Sequence, residues 1–273
     1  MKNAPSVFQH FLHKVLGDLL NKGVIVYIDD ILVYAETLEE LRRLTHLVFE
    51  RLRAAGLFLK ASKSKFEEQS VKFLGFVISS TGVSADKGYV QGIVDFPAPR
   101  NLKQPRRFIG MASYYRRFVP GFSNTVRPLT HLTKKDIPFH WGPNQQAAFA
   151  ELKEKMSNAP LLAHFDPKAA ETIVQTDASM YGWGFVISQV DELGEEHPIA
   201  IESGSFKGAE LNYTTYEKEF LAIVMAFCRQ QHLLLQVRST VLTDHLNIKY
   251  WMEPRELNSC QARWVELLSP FEY

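Results

Sequence analysis

The stretch that decides the fold is VIVYIDDILVY, residues 24–34, in which two acidic residues separate two short apolar runs. Both runs are rich in β-branched and aromatic side chains, which is typical of buried strands. Asp29 and Asp30 form the polar interruption between the runs. The pattern therefore predicts a β-hairpin with Asp29-Asp30 at its turn.

The two adjacent carboxylates of this turn point to chemistry as well as to structure. Asp is common in turns because it forms local hydrogen bonds, so an ordinary hairpin turn is one explanation. Neighbouring carboxylates nevertheless repel each other unless they share a cation. Two-metal phosphoryl transfer needs such a cluster, because one ion activates the attacking hydroxyl and the other stabilises the leaving group. Asp29 and Asp30 are therefore candidate ligands for a divalent cation.

The segments that flank the hairpin have the patterns of helices and one further strand. Apolar residues at helical spacing predict a helix within residues 6–20. Thr37 followed by Glu40 predicts a capping box at the start of a second helix, which ends near Gly56. Residues 71–78 predict a single strand.

A block of one charge sign follows in the middle of the chain. The formal net charge is only +1, yet there is no acidic residue between Asp95 and Asp136. We call residues 96–135 the basic segment; its cations are Arg100, Lys103, Arg106, Arg107, Arg116, Arg117, Arg127, Lys134 and Lys135. Such a block attracts a polyanion and releases its counterions. The alternative is a solvated helix face that acids of neighbouring segments neutralise.

Aromatic residues interleave with these cations. Tyr114, Tyr115 and Phe118 lie beside arginines, and this arrangement predicts stacking surfaces for nucleotide bases. Helices are predicted near residues 105–118 and 144–156.

A second set of acids lies in the last third of the chain. Asp177 and Asp244 each end a predicted strand, and Glu219 lies on a predicted helix between those strands. Functional sites collect at strand ends of mixed sheets, and hard carboxylate oxygens suit Mg²⁺. The alternative is that all three are ordinary surface acids.

Composition excludes some other classes of protein. A hydrophobic fraction of 46% is enough for a buried core. No apolar run approaches the roughly 20 residues that a membrane helix needs, and no signal peptide opens the chain. Cys228 and Cys260 have no metal-binding spacing and are expected to be thiols of a reducing compartment.

Nearly the whole chain resembles the Ty3/gypsy retrotransposon family, in blocks that follow the family's order. The YIDD block at residues 27–30 resembles the polymerase motif of reverse transcriptases. The other similar blocks are residues 2–9 near template and nucleotide, 71–76 in the primer grip, 108–120 in the thumb and connection, and the RNase H blocks 176–179, 216–222 and 243–245.

This resemblance implies an α+β fold in three parts. They are a reverse transcriptase palm fragment over 1–82, a helical thumb and connection over 83–168, and an RNase H-like mixed sheet with helices over 169–273. The family places one polymerase Asp before the palm segment and one RNase H Asp after the last residue here. The resemblance thus implies a piece that is truncated at both ends.

The resemblance also assigns roles in the polymerase half. Asp29 would bind the catalytic Mg²⁺ ions directly, with Mn²⁺ as an alternative ion, and Asp30 would support it. Tyr27 would lie under the primer terminus, and Gln9 belongs to the block near the template. Lys63 matches a lysine near the incoming triphosphate; the alternative is an ordinary surface lysine.

In the nuclease half, the resemblance makes Asp177, Glu219 and Asp244 the metal ligands. Glu217 is the rival for the helix position, and we favour Glu219 because an apolar run follows it, as in the family. Gly204 replaces a commonly basic residue, which predicts a weaker substrate contact. Arg116 and Arg117, in the thumb and connection block, are predicted to contact the backbone of the nucleic-acid hybrid.

The function implied is RNA-directed DNA synthesis coupled to ribonuclease H cleavage. The expected partners are an RNA–DNA hybrid, a primer-template and deoxynucleoside triphosphates, with no membrane and an oligomeric state that the sequence does not specify. The expected location is intracellular, in the cytoplasm, virus-like particles or the nucleus. The alternative function is that of a catalytically inactive, hybrid-binding remnant of a decayed element.

Overall fold

The computed structural model describes residues 4–243 and 258–273 and divides the chain into two compact units, Met1–Ser80 and Thr81–Tyr273. Each unit combines helices with β-structure around its own apolar core. The predicted α+β class is therefore confirmed. Within the described ranges, no helix has the length and apolar character needed to cross a membrane.

The first unit packs two helices on a hairpin. Its elements are α1 (Ala4–Leu16), β1 (Val24–Tyr27), β2 (Asp30–Val33), α2 (Leu38–Ala54), β3 (Ser70–Phe73) and β4 (Phe76–Ser79). The core consists of apolar residues at helical spacing on α1 and α2 and of inward-facing residues on β1, including Leu12, Leu16, Val24, Leu44, Val48 and Leu52. This spacing places one apolar stripe of each helix against the hairpin.

The hairpin turn lies one residue earlier than predicted. Tyr27 pairs with Asp30, so the turn residues are Ile28 and Asp29, and Asp30 is the first residue of β2. Ile28 has a φ of 52°, which β-branched residues rarely adopt. The side chain of Gln9 holds this conformation, because its Oε1 accepts a hydrogen bond from the backbone N–H of Ile28.

The predicted single strand at residues 71–78 is a second hairpin. β3 and β4 are antiparallel, with Phe73 paired to Phe76 across the turn Leu74-Gly75. Both turn residues have positive φ, 50° and 75°, as two-residue hairpin turns of the right twist require. The prediction failed because a continuous apolar pattern hides a turn that contains a leucine.

The predicted capping box of α2 is half right. The Thr37 hydroxyl accepts a hydrogen bond from the Glu40 N–H at 3.3 Å and caps the helix. The Glu40 carboxylate instead binds Arg43 at 2.7 Å. The helix ends before Gly56, as predicted.

The second unit contains the remaining helices and the largest sheet of the described residues. Its first part comprises β5 (Gly82–Ala85), α3 (Lys87–Val94), α4 (Lys103–Tyr114), α5 (Phe122–His131), α6 (Pro143–Ser157) and β6 (Leu162–Ala163). Its second part comprises β7 (Glu171–Ala178), β8 (Gly182–Val190), β9 (Glu196–Ser205), α7 (Thr215–Arg229), α8 (Gln231–Leu234), β10 (Ser239–Leu242) and α9 (Ser259–Leu268).

The order of strands in the large sheet is β10-β7-β8-β9. β7, β8 and β9 form an antiparallel meander, and β10 runs parallel to β7. α7 covers the sheet with an almost continuous buried face that includes Phe220, Ile223 and Phe227. This face belongs to one apolar core with residues of β7, β8 and α9, which include Val174, Phe185, Ile187 and Trp264. This packing places Glu219 of α7 at the end of β7.

Two of the three aromatic residues expected to stack on bases are in the protein core. Tyr115 is 3% exposed and Phe118 is fully buried, whereas Tyr114 is 51% exposed. Burial raises the pKa of Tyr115 to about 12. The stacking prediction is therefore wrong for Tyr115 and Phe118, whose interleaving with arginines reflects alternation between a buried and an exposed side.

The packing around Gly204 explains that glycine without reference to a substrate. Gly204 pairs with Trp183 across β8 and β9. A Cβ atom at position 204 would lie 2.9 Å from the Trp183 Nε1 and closer still to two of its ring carbons. Trp183 is 4% exposed and stacks on Phe185 with ring centroids 5.9 Å apart. The indole thus occupies the space that a side chain at 204 would need.

This packing predicts that Gly204→Ala destabilises the chain. Forcing a methyl group into the packed core should lower the free energy of unfolding by about 1–3 kcal/mol. Gly110→Ala is the matched control, because a Cβ there meets nothing within 4 Å and helix propensity should raise stability by about 0.5–1 kcal/mol. Urea denaturation measures both; a Gly204→Ala variant as stable as the parent would contradict the packing argument.

Candidate active sites

The side chain of Gln9 on α1 forms hydrogen bonds with the tip of the first hairpin. Its Nε2 donates to the carbonyl of Val26 at 3.1 Å, and its Oε1 accepts from the Ile28 N–H. The amide side chain thus binds β1 and the turn together. The backbone that carries the acidic tip is fixed by a side chain 19 residues earlier in the chain.

The acids of this tip face solvent. Asp29 and Asp30 are exposed, and the Tyr27 ring is 53% exposed. Within residues 4–243 and 258–273, neither carboxylate has a hydrogen bond or an ion pair. Two uncompensated negative charges on adjacent residues create a local negative potential that suits a hard cation.

Lys63 lies apart from these acids in the sequence, on the exposed 3-10 turn Ala61–Lys63 that follows α2. The neighbouring Ser64 hydroxyl donates to the Lys60 carbonyl at 3.2 Å and stabilises this turn. The Lys63 ammonium itself has no partner among the described residues. Its proposed triphosphate contact remains a prediction.

The second acidic site forms where α7 meets the end of β7. Glu219 is only 3% exposed, and its Oε1 accepts a hydrogen bond from the Ala178 N–H at 3.3 Å. Asp177, the preceding residue, is exposed and pairs with Gly184 of β8. The fold thus brings an acid of a helix to the strand end that carries another acid, although 41 residues separate Ala178 from Glu219.

The third predicted acid of this site, Asp244, lies outside the described residues. β10 runs parallel to β7, with Leu242 paired to Gln175. Among the described residues, no group of three or more His, Cys, Asp or Glu side chains converges as a metal site would. The oxygen donors of Asp177 and Glu219 nevertheless fit Mg²⁺ by their chemistry.

Glu217 has a different role from Glu219. Its Oε2 accepts from the Thr214 N–H at 3.0 Å, and the Thr214 hydroxyl accepts from the Glu217 N–H at 3.2 Å, a reciprocal capping box. Its Oε1 accepts from Asn258 at 3.0 Å. The backbone hydrogen bond from Thr214, followed by the hydroxyl and Asn258 hydrogen bonds, lowers the pKa of Glu217. Both carboxylate oxygens are used in holding the start of α7.

The two adjacent arginines of the basic segment have unequal environments. The Arg116 guanidinium donates to the backbone carbonyl of Ser203 on β9. Arg117 is exposed and has no side-chain hydrogen bond or ion pair among the described residues. Arg106 donates to the Thr133 carbonyl at 3.1 Å. Some cations of this segment therefore support the fold, and Arg117 is available to a polyanion.

Contacts between α5 and the turn after Asp177 were not predicted from the sequence. The Ser179 hydroxyl donates to the Asn124 Oδ1 at 2.9 Å, and the Arg127 guanidinium lies 3.0 Å from the centre of the Tyr181 ring. A serine two residues beyond a strand-end acid is a weak local signal for a turn. The partners on α5 have no such signal, because they lie more than 50 residues away.

Two family comparisons match separate parts of the chain. Residues 1–78 match the family described as reverse transcriptase (RNA-dependent DNA polymerase). Residues 167–271 match the family described as RNase H-like domain found in reverse transcriptase. The two matches follow the order that the resemblance implied.

Individual proteins are similar over the whole length of this chain. The Transposon Tf2-3 polyprotein of Schizosaccharomyces pombe is 31% identical over 277 residues, which cover 100% of this chain and 21% of that polyprotein. The Transposon Tf2-7 polyprotein of the same yeast is 31% identical over 274 residues, or 99% of this chain and 20% of its own length. The chain thus spans about a fifth of these relatives.

Solved structures of foamy viral protease-reverse transcriptase share the fold. One, a complex with double-stranded DNA, has a TM-score of 0.76 and 26% identity, covering 97% of this chain and 47% of that chain. Another, a complex with an RNA/DNA hybrid, has a TM-score of 0.71 and 27% identity, covering 97% of this chain and 36% of that chain.

Sequence, fold and order of domains agree across these comparisons. The chain carries a segment that matches reverse transcriptases, followed by an RNase H-like domain, and over its whole length it is similar to retrotransposon polyproteins.

Proposed function

We propose that the second unit hydrolyses the RNA strand of an RNA–DNA hybrid, as part of a polyprotein that also synthesises DNA on RNA. One observation carries the nuclease proposal: the buried Glu219 carboxylate binds the backbone one residue beyond Asp177. Carboxylates are rarely buried unless hydrogen bonds, ion pairs or a bound metal ion compensate for the lost hydration. The match of residues 167–271 to an RNase H-like domain supports this chemistry.

Asp177, Glu219 and Asp244 are the residues that would hold Mg²⁺ or Mn²⁺. When bound, a pair of such ions supplies an activated water and stabilises the leaving oxygen of a phosphodiester. The chain contributes ordered ligands: α7 presents Glu219 from a buried helix whose start is capped by Thr214 and Glu217. Asp177 is exposed, so its carboxylate is accessible to a hybrid at the surface.

Neutralising either of the two described acids should abolish cleavage. Asp177→Asn and Glu219→Gln should each reduce cleavage of a labelled hybrid by at least about 100-fold, because ligand charge holds the cation. Glu192→Gln, an exposed acid at the β8–β9 turn, is the charge-matched control and should retain parent activity. Parent-level cleavage by Asp177→Asn would refute the nuclease proposal.

The same assay decides between the two glutamates of α7. Glu217→Gln keeps the metal ligands and weakens only the contacts of residue 217 with Thr214 and Asn258, so cleavage should fall no more than about threefold after correction for a cap loss of about 1 kcal/mol. Loss of activity in Glu217→Gln with full activity in Glu219→Gln would reverse the assignment.

We further propose that exposed cations of the basic segment follow the phosphate backbone of the hybrid. Arg117 is exposed and without a partner in the described part of the chain, which supports its availability to phosphate. A foamy viral relative is described in complex with an RNA/DNA hybrid. Phosphate contacts bind without reading sequence, and contacts to 2′-hydroxyls would distinguish the RNA strand.

Salt dependence separates the roles of the two arginines. Arg117→Gln should weaken hybrid binding and reduce the slope of log K against log salt by about one phosphate contact. Arg116→Gln should chiefly lower stability, because its guanidinium binds the Ser203 carbonyl. Fluorescence anisotropy at several salt concentrations measures the slopes. Binding that does not change with salt would contradict the electrostatic interface.

This binding assay also tests the inactive-remnant alternative. A catalytically inactive hybrid-binding chain would bind with the predicted salt slope and show no cleavage at any Mg²⁺ concentration. A chain that cleaves, and loses cleavage but not binding in Asp177→Asn, is an enzyme.

For the first unit, we propose that Asp29 and Asp30 belong to a polymerase site that uses a primer-template and deoxynucleoside triphosphates. The exposed acidic tip and its support by Gln9 favour this role, as does the match of residues 1–78. Tyr27 would lie under the primer terminus, where its exposed ring can pack on a sugar or a base. Because the chain spans about a fifth of its polyprotein relatives, this activity is proposed for the longer protein.

Primer extension tests the polymerase site in the longer polyprotein. Asp29→Asn should reduce extension by at least about 100-fold, and Gln9→Ala by about tenfold, because the tip loses its support. Glu36→Gln, an exposed acid beyond β2, should have no effect. Full extension by Asp29→Asn would exclude this hairpin from the site.

A further inference from the structure

The turn between β7 and β8 is held by α5, a helix from the basic segment. This turn, residues 179–181, directly follows the strand end that carries Asp177. The Ser179 hydroxyl lies at its centre and accepts from the backbone N–H groups of Gly182 at 3.1 Å and Tyr181 at 3.3 Å. The same hydroxyl contacts the Asn124 Oδ1 of α5 at 2.9 Å.

α5 also packs against this turn at two further points. The Arg127 guanidinium, one helical turn beyond Asn124, lies 3.0 Å from the centre of the Tyr181 ring. A Cβ atom at Gly182 would lie 2.9 Å from the Asn124 Oδ1 and 2.5 Å from the Gly204 carbonyl oxygen. The helix, the turn and β9 therefore meet at van der Waals distance, with no space for water between Asn124 and Gly182.

α5 is itself a rigid support. Thr125, which is 7% exposed, donates to the Glu151 carboxylate of α6 at 3.0 Å. Lys155 binds both the Thr125 hydroxyl at 3.0 Å and Glu151 at 2.8 Å. The Ser123 N–H donates to the Ser203 hydroxyl of β9 at 3.0 Å. Partly buried hydrogen bonds and one ion pair thus hold α5 on both sides of Asn124.

We propose that Asn124 and Arg127 are positioning residues for the nuclease site, which orient Asp177 by holding the β7–β8 turn. The proposal rests on the proposed nuclease function. Glu219 holds the strand end from one side through the Ala178 N–H, and Asn124 holds it from another through Ser179. Asp177 lies immediately before Ala178 and Ser179, so loss of either hydrogen bond changes the direction of its carboxylate.

The basic segment would then contribute to the nuclease site in two ways. Its exposed cations would bind the hybrid. Its helix α5 would hold the end of β7, which carries Asp177, in a fixed position relative to that hybrid. Neither Asn124 nor Arg127 needs to touch the substrate for this role. Their effect on rate would pass through the geometry of Asp177.

Asn124→Ala in the full chain tests the proposal, with Asn144→Ala as the matched control. Asn144 is an exposed residue in the first turn of α6 whose side chain makes no hydrogen bond within the described part of the chain. Asn124→Ala should lower kcat for hybrid cleavage by about tenfold with KM changed less than twofold, and should raise the half-saturating Mg²⁺ concentration several-fold, because misplacement by about 1 Å is costly to catalysis. Asn144→Ala should change none of these values.

Two measurements without nucleic acid complete the test. Hydrogen exchange of a peptide covering residues 176–184 should accelerate in Asn124→Ala and in Ser179→Ala, but not in Asn144→Ala. Affinity for Mn²⁺, measured by calorimetry, should fall several-fold in Asn124→Ala. Ser179→Thr, which keeps the hydroxyl, should restore exchange, Mn²⁺ affinity and kcat to within about threefold of the parent.

The outcomes separate this proposal from the nuclease proposal. If the parent neither cleaves nor binds Mn²⁺, the nuclease function and the positioning role both fail. If the parent cleaves, and Asn124→Ala accelerates exchange without changing kcat or the Mg²⁺ requirement, the contact is structural only and the positioning role fails alone. Unchanged exchange in Asn124→Ala would show that the turn does not need α5, with the same consequence.

Discussion

The burial of the Glu219 carboxylate is the constraint on which the second unit depends. Removing a carboxylate from water costs several kcal/mol unless hydrogen bonds or charges compensate, and Glu219 is only 3% exposed. The helix that carries it is fixed by its capped start and by a continuous apolar face on the sheet. Its carboxylate meets the Ala178 N–H at the edge where Asp177 is exposed. The apolar packing of helix on sheet therefore determines the spacing of the two acids.

The distribution of charge matters more here than its sum. A net charge of +1 hides acids at strand ends and at a hairpin tip, and cations between them in the chain. Neighbouring residues of equal charge have different contacts: Arg116 and Arg117 are both exposed, but only the Arg116 guanidinium binds β9, through the Ser203 carbonyl. Glu217 and Glu219 differ in the same way, because one caps a helix and the other is buried at a strand end. In each pair, hydrogen bonds and burial give two residues of equal charge different environments.

Local patterns predicted the strands at residues 24–34 and the long helix α7, because apolar periodicity and burial agree there. They failed at Leu74, where a leucine adopts a positive φ in a turn, and over α5, where Pro128 inside the helix obscured the pattern. The pattern of residues marked the candidate acids but left an ordinary structural role open for each, because acids are common; the family resemblance supplied their expected roles. The contact of Asn124 with Ser179 spans 55 residues, so it depends on tertiary packing that no local pattern contains.

The parallel pairing of β10 with β7 affects how the sheet folds during synthesis. Antiparallel β7, β8 and β9 can form as soon as they leave the ribosome, because short turns join them. β10 must wait for the long crossover through α7, and its first N–H also binds the carbonyl of Glu272 near the last residue described. Closing so long a loop is slow because chain entropy opposes it. During synthesis, the edge of β7 that faces β10 therefore stays unpaired until the chain beyond α7 has been made, and over that interval it can pair with a strand of another chain.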